Sequence, residues 1–192
     1  MAVILDDIAA LTRAADELLA VTRDRHHRRI LENYRRHALL EVTGRWAEIF
    51  APDMTVEHPV YYMNIDGRSL TLDGRQQVSD YYRTMAESGG TVVVIRDERL
   101  AVADWGFASE AVYDLYLRGD QLPDADPEGY YIVRQLIAML WHYDDRARLT
   151  GEHSFAHPDT AQTIEIDAAD YIGFEDYRRI LTPLIRPLPE ND

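Results

Sequence analysis

The stretch Tyr130–Tyr143, YYIVRQLIAMLWHY, constrains the fold more than any other in the chain. Its odd positions, Tyr131, Val133, Gln135, Ile137, Met139, Trp141 and Tyr143, form an apolar and aromatic row on one face of an extended strand. The even positions, from Ile132 to Leu140 and His142, are also largely apolar. A strand apolar on both faces is covered on both faces. One face would line an interior, and the other would meet a helix or a second subunit, so a homodimer is expected. Runs 91–102, 105–118 and 147–156 share this β-rich character, with GDQLPDADPEG as a loop and Asp144-Asp145-Arg146 as a tight turn.

The first part of the chain has a different period. Ile4, Ile8, Leu11, Ala15, Leu18 and Leu19 recur at helical spacing over 4–21. A second helix is expected over 24–42 and a short third over 44–50, after the Gly44 break. TVEHPV and RSLTLDG read as strands around Asn64-Ile65-Asp66-Gly67, and GRQQVSDYYRTMAESGG returns to helix until Gly89-Gly90 stops it. Helices followed by antiparallel strands predict an α+β fold in which a curved, mainly antiparallel sheet wraps around the N-terminal helices and encloses one cavity. A length of 192 residues fits a single domain, with a core at about 20–157 and an extension over 158–192 holding the weaker helical segment FEDYRRILTPLI.

Charge and absent residue types narrow the chemistry. A net charge of -14 argues against nucleic acid and anionic membrane as partners. The arginines crowded over 23–36 read as a solvated helix face. All 20 basic residues are Arg, and neither Lys nor Cys occurs. Schiff-base chemistry, lysine-held pyridoxal phosphate, P-loop phosphate binding, cysteine nucleophiles and thiolate metal sites therefore lack their residue. No cofactor is expected. The early acidic pair Asp6-Asp7 interrupts any secretion signal, which makes the cytoplasm the expected location. The chain has no apolar run long enough to span a membrane.

His58 in MTVEHPVYY places an imidazole on a short strand, where it is either a core histidine bonded to backbone or a base. With an ordinary pKa of about 6.5, an imidazole accepts a proton near neutral pH without a large shift. Tyr61 and Tyr62 follow, one pointing in and one out. Glu110 is either paired with Arg134 or an acid in the cavity. Glu152 and His153 alternate faces, so only one reaches the interior. His153, His157 and Asp159 are spaced for a metal only on a helix, and this segment reads as strand running into loop, so no metal site is expected. Tyr82, Trp105, Tyr131, Met139 and Trp141 are candidate substrate contacts alongside both tyrosines of the Tyr-Tyr pair. Twelve tyrosines in a cavity fold fit a flat aromatic substrate.

The segment FAPDMTVEHPV resembles the short strand of the nuclear transport factor 2-like superfamily, in its ketosteroid isomerase and SnoaL-like branch. There the matching stretch ends in Glu-Asp-Pro and the Asp is the general base, so the resemblance puts His58 at the base position. The catalytic tyrosine of those isomerases has its counterpart in Tyr34, 24 positions upstream. The match runs over about 28–90, and the strand order continues to about 156. Met139 stands where the isomerases keep a second carboxylic acid, which argues against steroid isomerisation. GEHSFAH reproduces a glutamate–histidine pair of many SnoaL-like proteins as Glu152 and His153, with Phe155 where the cyclases often place an acid. The resemblance implies a cofactor-independent lyase or dehydratase using His58, Tyr34, Glu110 and His153 on a small hydrophobic aromatic molecule, by analogy a lignin-derived diarylpropane diol that loses formaldehyde. The alternatives are a SnoaL-like polyketide cyclase or isomerase and a non-catalytic ligand-binding or dimerisation module.

Overall fold

The computed structural model describes residues 5–65 and 68–189. The N-terminal helical pattern forms two pieces, α1 (Leu5–Ala9) and α2 (Arg13–Val21). The break lets one stripe serve two interiors: Ile8 and Leu11 join the cluster around β3 and the C-terminal helix, while Ala15 joins the cluster around α3. Helix α3 (Arg25–Val42) starts where Asp24 accepts from the His27 amide at 2.9 Å, and it ends before Gly44, whose φ of +73° suits glycine. A 3-10 turn (Trp46–Phe50) leads into β1 (Thr55–Ile65), β2 (Arg68–Asp73) and α4 (Arg75–Glu87). The turn dipeptide Asp66-Gly67 lies outside the described residues.

Four long strands follow: β3 (Val93–Ala103), β4 (Gly106–Arg118), β5 (Tyr130–Tyr143) and β6 (Leu149–Ala156). The sheet order is β2-β1-β6-β5-β4-β3; β1 and β6 run parallel and the other pairs antiparallel. This is the expected α+β architecture, a curved sheet whose concave face holds α3 and α4. The segment after 158 is built into it. A short strand, β7 (Gln162–Ile166), pairs with the first third of β5, and α5 (Phe174–Leu181) buries Tyr177 and Leu181, with the Tyr177 hydroxyl donating to Val93 O at 2.7 Å. Among the described residues, no helix is long and apolar enough to cross a membrane.

Register sets which side chains meet. Leu72, Tyr61, Glu152, Trp141, Phe107 and Val102 are consecutive cross-strand partners, so they form one row on the concave face. Arg134 and Arg96 both grip the buried Asp114 from the convex side, at 2.6–2.7 Å and 2.6 Å. Glu110 is therefore not the partner of Arg134; it is exposed on the convex face, opposite Arg99.

Candidate functional site

Helix α3 presents Tyr34 and His37 on one face, since residues three apart share it. The Tyr34 ring packs on Phe107 at 4.5 Å and Trp141 at 5.3 Å, and the His37 ring meets Trp141 at 4.7 Å. Tyr34, His37, Phe107 and Trp141 thus pack into one aromatic contact against the concave face. The polar groups within it are few and connected. The Tyr34 hydroxyl donates to Glu98 Oε1 at 2.8 Å. His37 Nε2 is 2.9 Å from the Tyr82 hydroxyl, which donates to the Tyr61 hydroxyl at 3.4 Å. Glu41 Oε2 lies 3.6 Å from His37 on the outer side, so a line of titratable groups runs from half-exposed Glu41 to Tyr61, the cross-strand partner of Glu152. His37 Nδ1 and the Tyr143 hydroxyl are buried without a hydrogen-bond partner among the described residues.

Glu98 reaches the interior through a local irregularity. Between Arg96 and Arg99 the β3–β4 register slips, and Asp97 takes φ +52°, so the bulge turns Glu98 onto the side of Leu100 and Val102. A pocket of about 210 Å³ between α1, α2 and β3 ends on Glu98, with Leu11, Arg13, Glu17 and Ile95 in its wall.

Electrostatics follows from burial. Desolvation raises the Glu98 pKa above the usual carboxylate value, and the Tyr34 hydrogen bond opposes that rise. Glu152, 5% exposed, is pushed well above the carboxylate range by burial and then by the charge of Glu41. Burial is also the main cause that lifts Tyr34, Tyr61, Tyr82, Tyr113 and Tyr143, which keeps their hydroxyls neutral. The arrangement offers a carboxyl with a raised pKa in a pocket wall, a phenol bonded to it, and a second carboxyl whose pKa lies well above the usual range.

Of the residues singled out in the sequence, Tyr34, Tyr61, Tyr82, Met139 and Trp141 come together here; Met139 Sδ accepts from Trp141 Nε1 at 3.4 Å and from the Tyr113 hydroxyl at 3.8 Å. The others do not. The His58 side chain is 70% exposed, its Nε2 2.8 Å from Asp73 Oδ1 at the sheet edge. Tyr61 and Pro59 take the inward positions, so strand alternation puts His58 on the solvent side, away from Tyr34. Tyr62 is outside at 49% exposure, as one member of the Tyr-Tyr pair had to be. His153 shares its convex face, 4.9 Å from the Tyr62 ring and 4.6 Å from His142, which leaves Glu152 as the member facing inward. Trp105 sits exposed in the β3–β4 turn. Tyr131 is buried under the 119–129 loop, its hydroxyl accepting from the Asp126 amide at 3.2 Å. Among the described residues there is no group of three or more side chains placed to hold a metal ion. Glu98, His37 and Glu41 went unread in the sequence; His37 had a signal in its spacing from Tyr34, and Glu98 had none.

No protein-family model matches the chain, and no curated protein matches it. Solved structures do. A SnoaL-like polyketide cyclase candidate from Jannaschia sp. CCS1 superposes with a TM-score of 0.53 at 12% identity, covering 70% of this chain and 90% of that one. A polyketide cyclase candidate from Xanthomonas campestris pv. campestris gives 0.51 at 14% identity over 70% of this chain and 94% of that one. Identities this low speak to the fold alone: this chain shares the cone-shaped α+β fold of these two structures, the fold expected from its sequence.

Proposed function

We propose that the protein is a cofactor-independent enzyme that works by general acid–base chemistry on a small hydrophobic molecule, with Glu98 as base and Tyr34 as the donor whose single hydroxyl proton turns from Glu98 to the substrate oxygen as Glu98 takes up the substrate proton. The observation that carries this is the part-buried Tyr34–Glu98 pair, whose carboxyl lines a pocket and has its pKa raised by burial toward the range where a carboxyl can take up and return a proton. The reaction type best supported is closure or isomerisation through an enol, in keeping with the cyclase names of the two structures above. A dehydrating or deformylating lyase acting on an aromatic diol is the second reading. It is favoured by Glu152, a neutral buried acid able to protonate a departing hydroxyl. The test is product analysis by NMR with enolisable aromatic ketones on one side and phenolic diols on the other, using wild type and Glu98→Gln. Loss of a positioned base costs ~10²–10⁴ in rate, and an active Glu98→Gln enzyme would end the assignment.

The proposal includes a homodimer formed through the convex sheet face. There Tyr62 and Phe155 are exposed at 49% and 43% beside His153 and Leu140, one apolar patch of the kind that marks an interface. Light scattering should give twice 22.1 kDa, and Leu140→Arg should halve it.

A further inference from the structure

A second pocket, of about 620 Å³, lies at the start of α3, away from the Tyr34–Glu98 pair. Its wall holds Arg25, Arg28 and Arg29 from the first turns of α3 and Arg146 and Arg148 from the β5–β6 turn, in a chain whose net charge is -14. Glu32, Asp53 and Asp145 are the acids in the same wall. Glu32 is already held by Arg186 at 2.8 Å, and Arg148 is held by Asp144 at 2.7 Å. Arg28 and Arg29 are differently bound. Arg28 donates to Leu19 O at 2.6 Å and Thr22 O at 3.0 Å, and Arg29 donates to Pro189 O at 2.7 Å. Carbonyls orient a guanidinium without neutralising it. Arg29 Nε is buried with no hydrogen-bond partner among the described residues. Beyond the N-cap Asp24, which accepts from the His27 amide, the first turn of α3 carries no acid, so these cations crowd the positive end of the helix dipole, where it disfavours them. A bound anion offsets that repulsion, and arginine forks match the paired oxygens of phosphate.

We infer that this pocket binds a phosphate group, with Arg28, Arg29 and Arg146 as its cationic wall. The pocket volume has room for the organic part of a phosphate ester, and Asp53 and Asp145 can accept from its hydroxyl or amine groups. The site is separate from the acid–base site and stands or falls independently of it.

Titration calorimetry of the full chain with inorganic phosphate, pyrophosphate and phenyl phosphate at low salt tests this, and the tightest of the three identifies free anion or ester as the better fit. Saturable binding with one site per chain is expected. Arg146→Gln should weaken it about tenfold or more, since hydrogen bonds to charged groups are worth at least that. The Arg146 side chain lies exposed in a turn and makes no hydrogen bond or ion pair among the described residues, its backbone amide alone donating to Asp144 Oδ1, so this variant should keep its native melting temperature. Arg179→Gln on α5 removes the same charge from a distant exposed site and should leave affinity unchanged. No saturable heat up to about 10 mM ligand, or equal weakening by Arg146→Gln and Arg179→Gln, overturns the inference.

Discussion

Replacing Glu152 by Gln should make the protein more stable and less active, with the gain growing as pH rises. The native carboxyl is buried beside Tyr61 and Trp141 and its pKa lies well above the model-compound value of 4.5, through burial and the charge of Glu41. A raised native pKa means that the native state holds its proton while the unfolded chain has released it. Wild-type stability from this group is then complete below the unfolded pKa and is lost as pH climbs toward the native one. Within that window one proton separates the two states, so wild type falls behind Glu152→Gln by about 1.4 kcal/mol per pH unit. By pH 7 the accumulated difference has a ceiling of about 3.5 kcal/mol, set by the distance from the unfolded pKa. Glu98 carries a raised pKa of its own but is present in both proteins and cancels. Urea unfolding of both proteins at pH 4, 5.5, 7 and 8.5 gives the comparison directly. Parallel stability curves, or a deficit of Glu152→Gln at high pH, would falsify the claim that the acid is held neutral at a cost.

Tyr34→Phe removes the hydrogen bond that restrains the Glu98 pKa, so the basic-side assignment predicts an upward shift in the acid limb of the pH–rate profile. The same variant should lower turnover ~10²–10³-fold and stability by about 1–3 kcal/mol, read by kinetics and urea unfolding. His58→Gln should leave turnover intact and change stability by no more than about 0.5 kcal/mol, because an exposed His–Asp contact contributes little. Asp114→Asn leaves Arg96 and Arg134 facing each other without their shared anion, and a loss of about 3 kcal/mol in urea unfolding is expected. The Asp114 pKa is lowered overall by the two arginines against an opposing burial effect, so its wild-type contribution should persist at neutral pH and fade only as pH falls below the ordinary carboxylate range.

The strands that announce the fold are the long ones. Tyr130–Tyr143 is legible to the residue because both of its faces are buried or half-buried along most of its length, leaving an apolar run whose ends are set by the polar loops around it. The final strand, QTIEI, is five residues with an exposed alternate face, pairing only with the start of β5. Its information lies in the partner, 32 residues away, and nothing local distinguishes it from a tail. The broken first helix has a similar origin: its apolar spacing is uninterrupted, and the break is set by two interiors that a straight helix cannot serve together.

The site divides along the same line. Tyr61 against Tyr62 and Glu152 against His153 each had to separate across the sheet, and Trp141 had to share a face with Tyr143, because the strand period is two. That arithmetic holds only while the ladder is regular. It puts His58 outside, on the side of Tyr62, because Pro59 and Tyr61 face in; at the Asp97 bulge it fails, and that bulge puts Glu98 inside. The failure concerns an ionisable side chain, and its physical source is the irregular ladder, which frees one side chain from the alternation that apolar burial otherwise imposes. A carboxyl can be driven into an aromatic interior only where neighbouring apolar residues do not lose their own burial in exchange. The bulge meets this condition for Glu98, with Leu100 and Val102 still packed against the core and Tyr34 supplying the hydrogen bond that makes the burial tolerable.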